Sequence, residues 1–145
     1  METSRLLRAV VEQRLRPHGM TRAQLATLSR LDRQDGLAQH EVADALEVQP
    51  IAMVRLVDRL SAQGLVERRT DAADRRINRL FITEAGRKRI ADLEGFKADM
   101  GAELFDGIGG EDIAQMLRTL DRLHASLRNI QAADAAAPKL RKSGT

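Results

Sequence analysis

The chain contains no cysteine, no tryptophan and no tyrosine. Without cysteine it can form neither a disulfide nor a zinc–thiolate site, and thiol redox sensing is excluded. Aromatic residues make up 2% of the total. The core must therefore be built from Leu, Val, Ile and Ala, which suit packed helices better than a β-sandwich. The three histidines, His18, His40 and His124, stand too far apart to read as a metal motif, and neither a metal nor another cofactor is expected. No apolar run reaches the length of a membrane span. Charge interrupts the opening stretch "METSRLLRAVVEQRLR" every few residues, which leaves no secretory h-region. A cytoplasmic protein with no membrane partner is the expectation.

What is present is ordinary globular material. The 145 residues fit one domain, with 43% hydrophobic and 31% charged residues, enough apolar content for a core. The formal net charge of +3 weakly favours an anionic partner. No histidine lies beside a serine or aspartate in a recognisable nucleophile motif, so an enzyme is not expected.

Helical spacing of Leu6, Leu7, Val10, Val11 and Leu15 marks a first helix over 4–15, broken by Pro17 and Gly19. Thr21-Arg22-Ala23-Gln24 reads as a capping box that opens a second helix through Leu25, Leu28 and Leu31, ended by Asp35-Gly36. A short helix over 39–46 carries Val42, Ala43 and Leu46 on one face. After the turn Glu47-Val48-Gln49, Pro50 starts another helix and Gly64 stops it near Gln63. On that helix Met53, Leu56, Val57 and Leu60 form a core face, while Ile51, Ala52, Arg55 and Arg59 fall largely opposite. Leu65-Val66 and Leu80–Ile82 read as two short strands. Thr83 can cap a long helix over roughly 84–105, "DGIGG" interrupts the chain, and a last helix follows.

Two short helices joined by a tight turn, then a two-stranded ribbon, spell a helix-turn-helix with a wing, whose second helix enters the major groove. Arg55 and Arg59 lie four residues apart and share a face, and arginine can bond guanine O6 and N7 together. The ribbon segment "ERRTDAADRRINR" holds five arginines and three acids in thirteen residues. Such a tip can reach phosphates or a minor groove. Asp74 precedes Arg75 and Arg76, and can hold one guanidinium by a charge-assisted bond. The plain alternative is a surface ion pair worth about 0–1 kcal/mol.

"VQPIAMVRLVDRLSAQGLVERR" followed by "DAADRRINRLFITEAGR" resembles the multiple antibiotic resistance regulator (MarR) family of bacterial transcription factors. The resemblance rests on Gly64-Leu65-Val66-Glu67-Arg68, on Asp74-Arg75-Arg76, and on Ile82-Thr83-Glu84-Ala85-Gly86. Ile82 is a conservative departure from the family's leucine. The motifs span roughly 39–86, and "GMTRAQLATLSRL" sits where the family has a similar helix start.

The resemblance implies a mainly α fold with a small β-wing. In that layout 21–86 form the winged helix-turn-helix, 1–20 and 87–133 supply dimerisation helices, and 134–145 form a flexible basic tail with Lys139, Arg141 and Lys142. It implies a homodimer built on Leu6, Leu7, Val10, Ile113, Met116, Leu117, Leu120, Leu123 and Leu127. The last helix supports this by itself, with seven large apolar residues from Ile113 to Ile130 that must be buried somewhere. The expected partner is double-stranded DNA at a pseudo-palindromic operator, in the manner of a repressor relieved by a small aromatic or phenolic anion. Arg14, Arg16 and His18 lie near the crevice for such an effector, whose pocket residues the sequence does not identify. The candidate DNA-facing residues are Gln39 and His40 on the first helix of the pair. On the second they are Gln49, Pro50 (first of all a helix-start device), Ile51, Ala52, Val54, Arg55 and Arg59. In the wing they are Arg69, Arg75 and Arg76, with Asp74 orienting one of them. The alternative is a winged helix used for protein–protein contact without specific DNA binding, which would have no need of wing arginines.

Overall fold

The computed structural model describes residues 2–136. They form seven α-helices and one three-stranded antiparallel sheet. In chain order these are α1 (Glu2–Leu15), a 3-10 turn (Arg16–His18), α2 (Arg22–Arg33), β1 (Leu37–Ala38), α3 (Gln39–Ala45) and α4 (Pro50–Ala62). The hairpin β2 (Val66–Thr70) and β3 (Asn78–Ile82) follows, then α5 (Glu84–Asp92), α6 (Glu94–Leu104) and α7 (Gly110–Ala136). The chain divides into two compact units at Phe96/Lys97.

The first unit holds the core. Leu28 and Leu31 of α2, Val42 of α3, Met53, Val57 and Leu60 of α4, Leu80 of β3 and Leu93 are essentially inaccessible and pack in one cluster. The predicted capping box is present in full. Thr21 Oγ1 accepts from the Gln24 amide at 3.2 Å, and Gln24 Oε1 accepts from the Thr21 amide at 2.9 Å. Each side chain thus satisfies a donor that the first helical turn would otherwise leave unpaired.

Both helices of the helix-turn-helix end in the same way. At the end of α4, Gly64 takes φ 71°, its amide donates to Ser61 O, and the Leu65 amide donates to Leu60 O. This is a Schellman closure, and the left-handed residue is the expected glycine. At the end of α3, Val48 donates to Ala43 O while Glu47 takes φ 53°. Here a side chain tolerates the left-handed region so that the turn can stay tight.

Four expectations change. The strands are longer than Leu65-Val66 and Leu80–Ile82, because Glu67–Thr70 pair in register with Asn78–Phe81. Half of the arginine-rich segment is therefore ladder rather than loop. The strand β1 carries no alternation to read in two residues. It exists because Leu37 and Ala38 pair with Leu80 and Arg79. The helix expected over 84–105 breaks at Leu93, which turns inward and is 1% exposed, so core packing overrides helical continuity. In the second unit, α7 runs to Ala136, past the expected start of the tail at 134, since the Ala-rich sequence there favours helix. The rest of that tail, with Lys139, Arg141 and Lys142, lies outside the described residues.

Gly86 sits in the first turn of α5, where a Cβ would run into the Leu65 carbonyl and come within 2.7 Å of Ile82 Cγ1. Gly86→Ala is expected to cost about 1–3 kcal/mol, as for a carbon forced into filled space. Gly95→Ala, which meets nothing within 4 Å, should be neutral or stabilising. Urea unfolding midpoints of the two variants measure the difference, and equal responses would show that close approach is not what position 86 requires.

Candidate nucleic-acid interface

The exposed face of α4 is set by its buried one. With Met53, Val57 and Leu60 locked in the core, Ile51, Ala52, Val54, Arg55 and Arg59 must point outward. Arg55 and Arg59 make no side-chain hydrogen bond or ion pair with any described residue. Gln49 and Pro50 begin the helix and are exposed, as is His40 on α3. Gln39 is different: it is half-buried, and its Oε1 accepts from Arg68 Nε at 3.2 Å.

Arg68 is the joint between the helices and the hairpin. Besides Gln39 of α3, it reaches Asp58 of α4, with Nη2 donating to Oδ1 at 3.0 Å. One guanidinium on β2 thus fixes both helices of the pair against the ribbon, using the fork geometry that lysine lacks. Asp35 does similar work on the other side. Its Oδ1 accepts from the Ile82 amide at 2.9 Å, and its Oδ2 meets Arg87, which also meets Asp32 at 2.7 Å.

The other arginines of the ribbon divide into held and free. Arg69 donates twice to Glu67, at 3.0 and 2.9 Å, and lies 4.3 Å from the centre of the Phe81 ring. Arg79 bonds the Asp71 carboxylate and the Gly36 carbonyl. Arg76 is clamped by Asp74 through two parallel bonds of 3.0 Å, and the Arg76 amide donates to the same carboxylate. Arg75 is exposed, with no hydrogen bond or ion pair to a described residue. The turn itself is closed by Asp71, whose Oδ1 accepts from the amides of Ala73 and Asp74 at 2.8 and 2.9 Å.

Residues 18–77 match the sequence profile of the MarR family. A MarR transcriptional regulator from Methanosarcina mazei is 27% identical, with a TM-score of 0.78, over 88% of this chain and 91% of that one. A MarR-family regulator from a Rhodococcus species is 28% identical over 84% and 86%, with a TM-score of 0.77. MepR of S. aureus, solved as a complex with DNA, is 27% identical over 87% and 93%, with a TM-score of 0.72.

Within this fold, sequence reasoning passes over Arg68, Asp58, Asp71, Arg79, Asp35 and Arg87 as positioning residues. Asp58 and Arg68 are ten residues apart, and Arg87 lies more than fifty from Asp32 and Asp35. No local periodicity announces such pairs. Among the described residues no group of three or more His, Asp or Glu could hold a metal, and no helix is long and apolar enough to cross a membrane.

The Arg79 guanidinium, then the amides of Asp74 and Ala73, hold the Asp71 carboxyl down at about 2, against an ordinary 3.8. A depressed carboxylate supports the folded turn only while ionised. The support is complete above 3.8 and is lost as pH falls through about 2. Carboxyl-carbon NMR should place the Asp71 midpoint near 2, and Arg79→Leu should move it up towards 3.8. An unmoved midpoint in that variant would assign the effect to the turn amides alone.

Proposed function

We propose that the chain is a sequence-specific regulator of transcription that binds double-stranded DNA as a homodimer, one winged helix to each half of a pseudo-palindromic operator. The observation that carries this is the division of labour among the arginines. Arg68, Arg69 and Arg79 are tied into the fold and Asp74 orients the exposed Arg76, while Arg55, Arg59 and Arg75 stand unpaired on the helix face and at the wing tip. Unpaired guanidinium groups beside a pinned recognition helix suit base edges and phosphates. Asp74 aims Arg76 at the same target and leaves Arg75 to meet phosphate or minor groove. His40 and Gln39 lie at the α3 end, where the first helix of the pair crosses the backbone. A winged helix used only for protein contact would leave the unpaired arginines without a role.

The dimer reading rests on unpartnered apolar side chains. Leu6, Leu7 and Val10 of α1 are exposed, as are Met116, Leu117, Leu120, Leu123, Leu127 and Ile130 of α7. On α7, Ile113, Met116, Leu120, Leu123, Leu127 and Ile130 repeat at alternating steps of three and four, the spacing of a helix-pairing seam. Faces of this size call for a partner, and a second copy supplies one. Repression relieved by a small aromatic or phenolic anion accords with the family. For such an effector, Arg16 and His18 are exposed, and the His18 ring lies 5.1 Å from Phe96. The site of action is the cytoplasm, where the DNA is. No catalytic step is assigned.

Arg55→Ala is expected to cost about 1–3 kcal/mol on a duplex selected from a random pool and little on unselected DNA, because bidentate base contacts carry discrimination. Titrations at several salt concentrations measure this. Wild-type affinity that ignores salt would sink the DNA-binding reading, since phosphate contacts impose a steep dependence. Changing Leu120 and Leu123 together to Glu should give monomers or aggregates by light scattering, with operator binding lost. A double variant that stays dimeric would show that this stripe of α7 is not the seam.

A further inference from the structure

Between α1 and α6, Ile51 and Val54 are the two large hydrophobic side chains left exposed among the described residues, at 70% and 41%. The core cannot take them. Met53 and Val57 of the same helix are 0% exposed, and turning α4 to bury Ile51 would expel both. The dimer reading rests on the exposed side chains of α1 and α7 and does not account for these two. Beside them opens a notch of about 380 Å³, between Gln39, His40 and Ala43 of α3 and Pro50, Ile51 and Val54 of α4.

What fills this surface must also satisfy its neighbours. Arg55 follows Val54 directly and lies one turn after Ile51, and Arg59 lies one turn further on the same exposed face. The occupant is therefore an anion that carries an apolar group along one edge. A major groove has that chemistry. Its phosphates and guanine edges suit the arginines, and the 5-methyl of thymine is the apolar group displayed there. Ile and Val are β-branched and stiff at χ1, so little side-chain freedom is lost when they pack against a methyl.

We propose that Ile51 and Val54 are specificity-determining residues that read thymine methyl groups in each half-site, next to guanines read by Arg55 and Arg59. This rests on the DNA-binding reading above and adds which base it selects and by which atoms. The notch between α3 and α4 gives the methyl apolar contact from more than one side.

The test starts from the duplex that the intact protein selects from a random pool. Each thymine of the half-site is exchanged in turn for deoxyuridine, which removes one methyl and leaves the groove's hydrogen-bonding pattern intact. At the contacted position wild-type affinity should fall roughly four-fold, the effect of one buried carbon. Ile51→Ala and Val54→Ala, both exposed sites, should keep the wild-type circular dichroism and unfolding midpoint. One of them should bind the thymine and deoxyuridine duplexes equally. A half-site without thymine, or one in which every exchange is silent, overturns the methyl reading while specific binding stands. If no duplex is selected, both readings fail. If Ile51→Ala leaves duplex affinity untouched and instead abolishes an association between protein molecules in light scattering, the notch is a protein contact and the proposal falls.

Discussion

The hydroxyl of Thr83 donates to the Gly64 carbonyl at 2.6 Å and accepts from the Gly86 amide at 3.0 Å, and much of the first unit depends on that pair of bonds. Gly64 ends α4, and Gly86 lies in the first turn of α5. The Thr83 amide also donates to Leu65 O at 3.1 Å. One residue thus joins the end of the outward-facing helix, the base of the ribbon and the start of the next helix. The join works only if the two backbones approach closely, and Gly86 permits that by having no side chain to meet the Leu65 carbonyl. The glycine and threonine of two separate sequence motifs are one physical unit.

A second constraint is electrostatic. Packing five arginines into thirteen residues sets up repulsion that a small ribbon must manage. Glu67, Asp71, Asp74 and Asp58 each neutralise one of them, in bonds that also define strand pairing, turn and helix position. The acids of the wing are thus the frame that decides which guanidinium groups are structural and which remain available. Individually such exposed pairs contribute little. Their value here is geometric, because each removes freedom from a long side chain or a turn.

Exposed apolar surface comes in two forms with different physical meanings. On α7 it is a long stripe at helix-pairing spacing, which suits another helix. On α4 it is two β-branched residues followed by two arginines and beside a notch, which suits an anionic occupant with an apolar edge. Hydrophobicity alone does not separate the two; the charges around each patch do.

The sequence by itself determined the helix-turn-helix and the ribbon after it, the capping box at Thr21, the stop at Gly64 and the buried face of α4, because each depends on residues within a few positions of one another. It also showed in Gly64–Arg68, Asp74–Arg76 and Ile82–Gly86 the pattern by which the chain resembles the MarR family. Only the tertiary structure decided the rest. The strand Leu37–Ala38 exists because β3 lies beside it, and the break at Leu93 exists because the core takes that side chain. Which arginines are held was equally closed to sequence. Arg68 finds partners ten and twenty-nine residues away, and Arg79 reaches a carbonyl forty-three residues back. Local spacing fixes which face a side chain leaves from, but its charge partner depends on chain segments brought together only by the packed core.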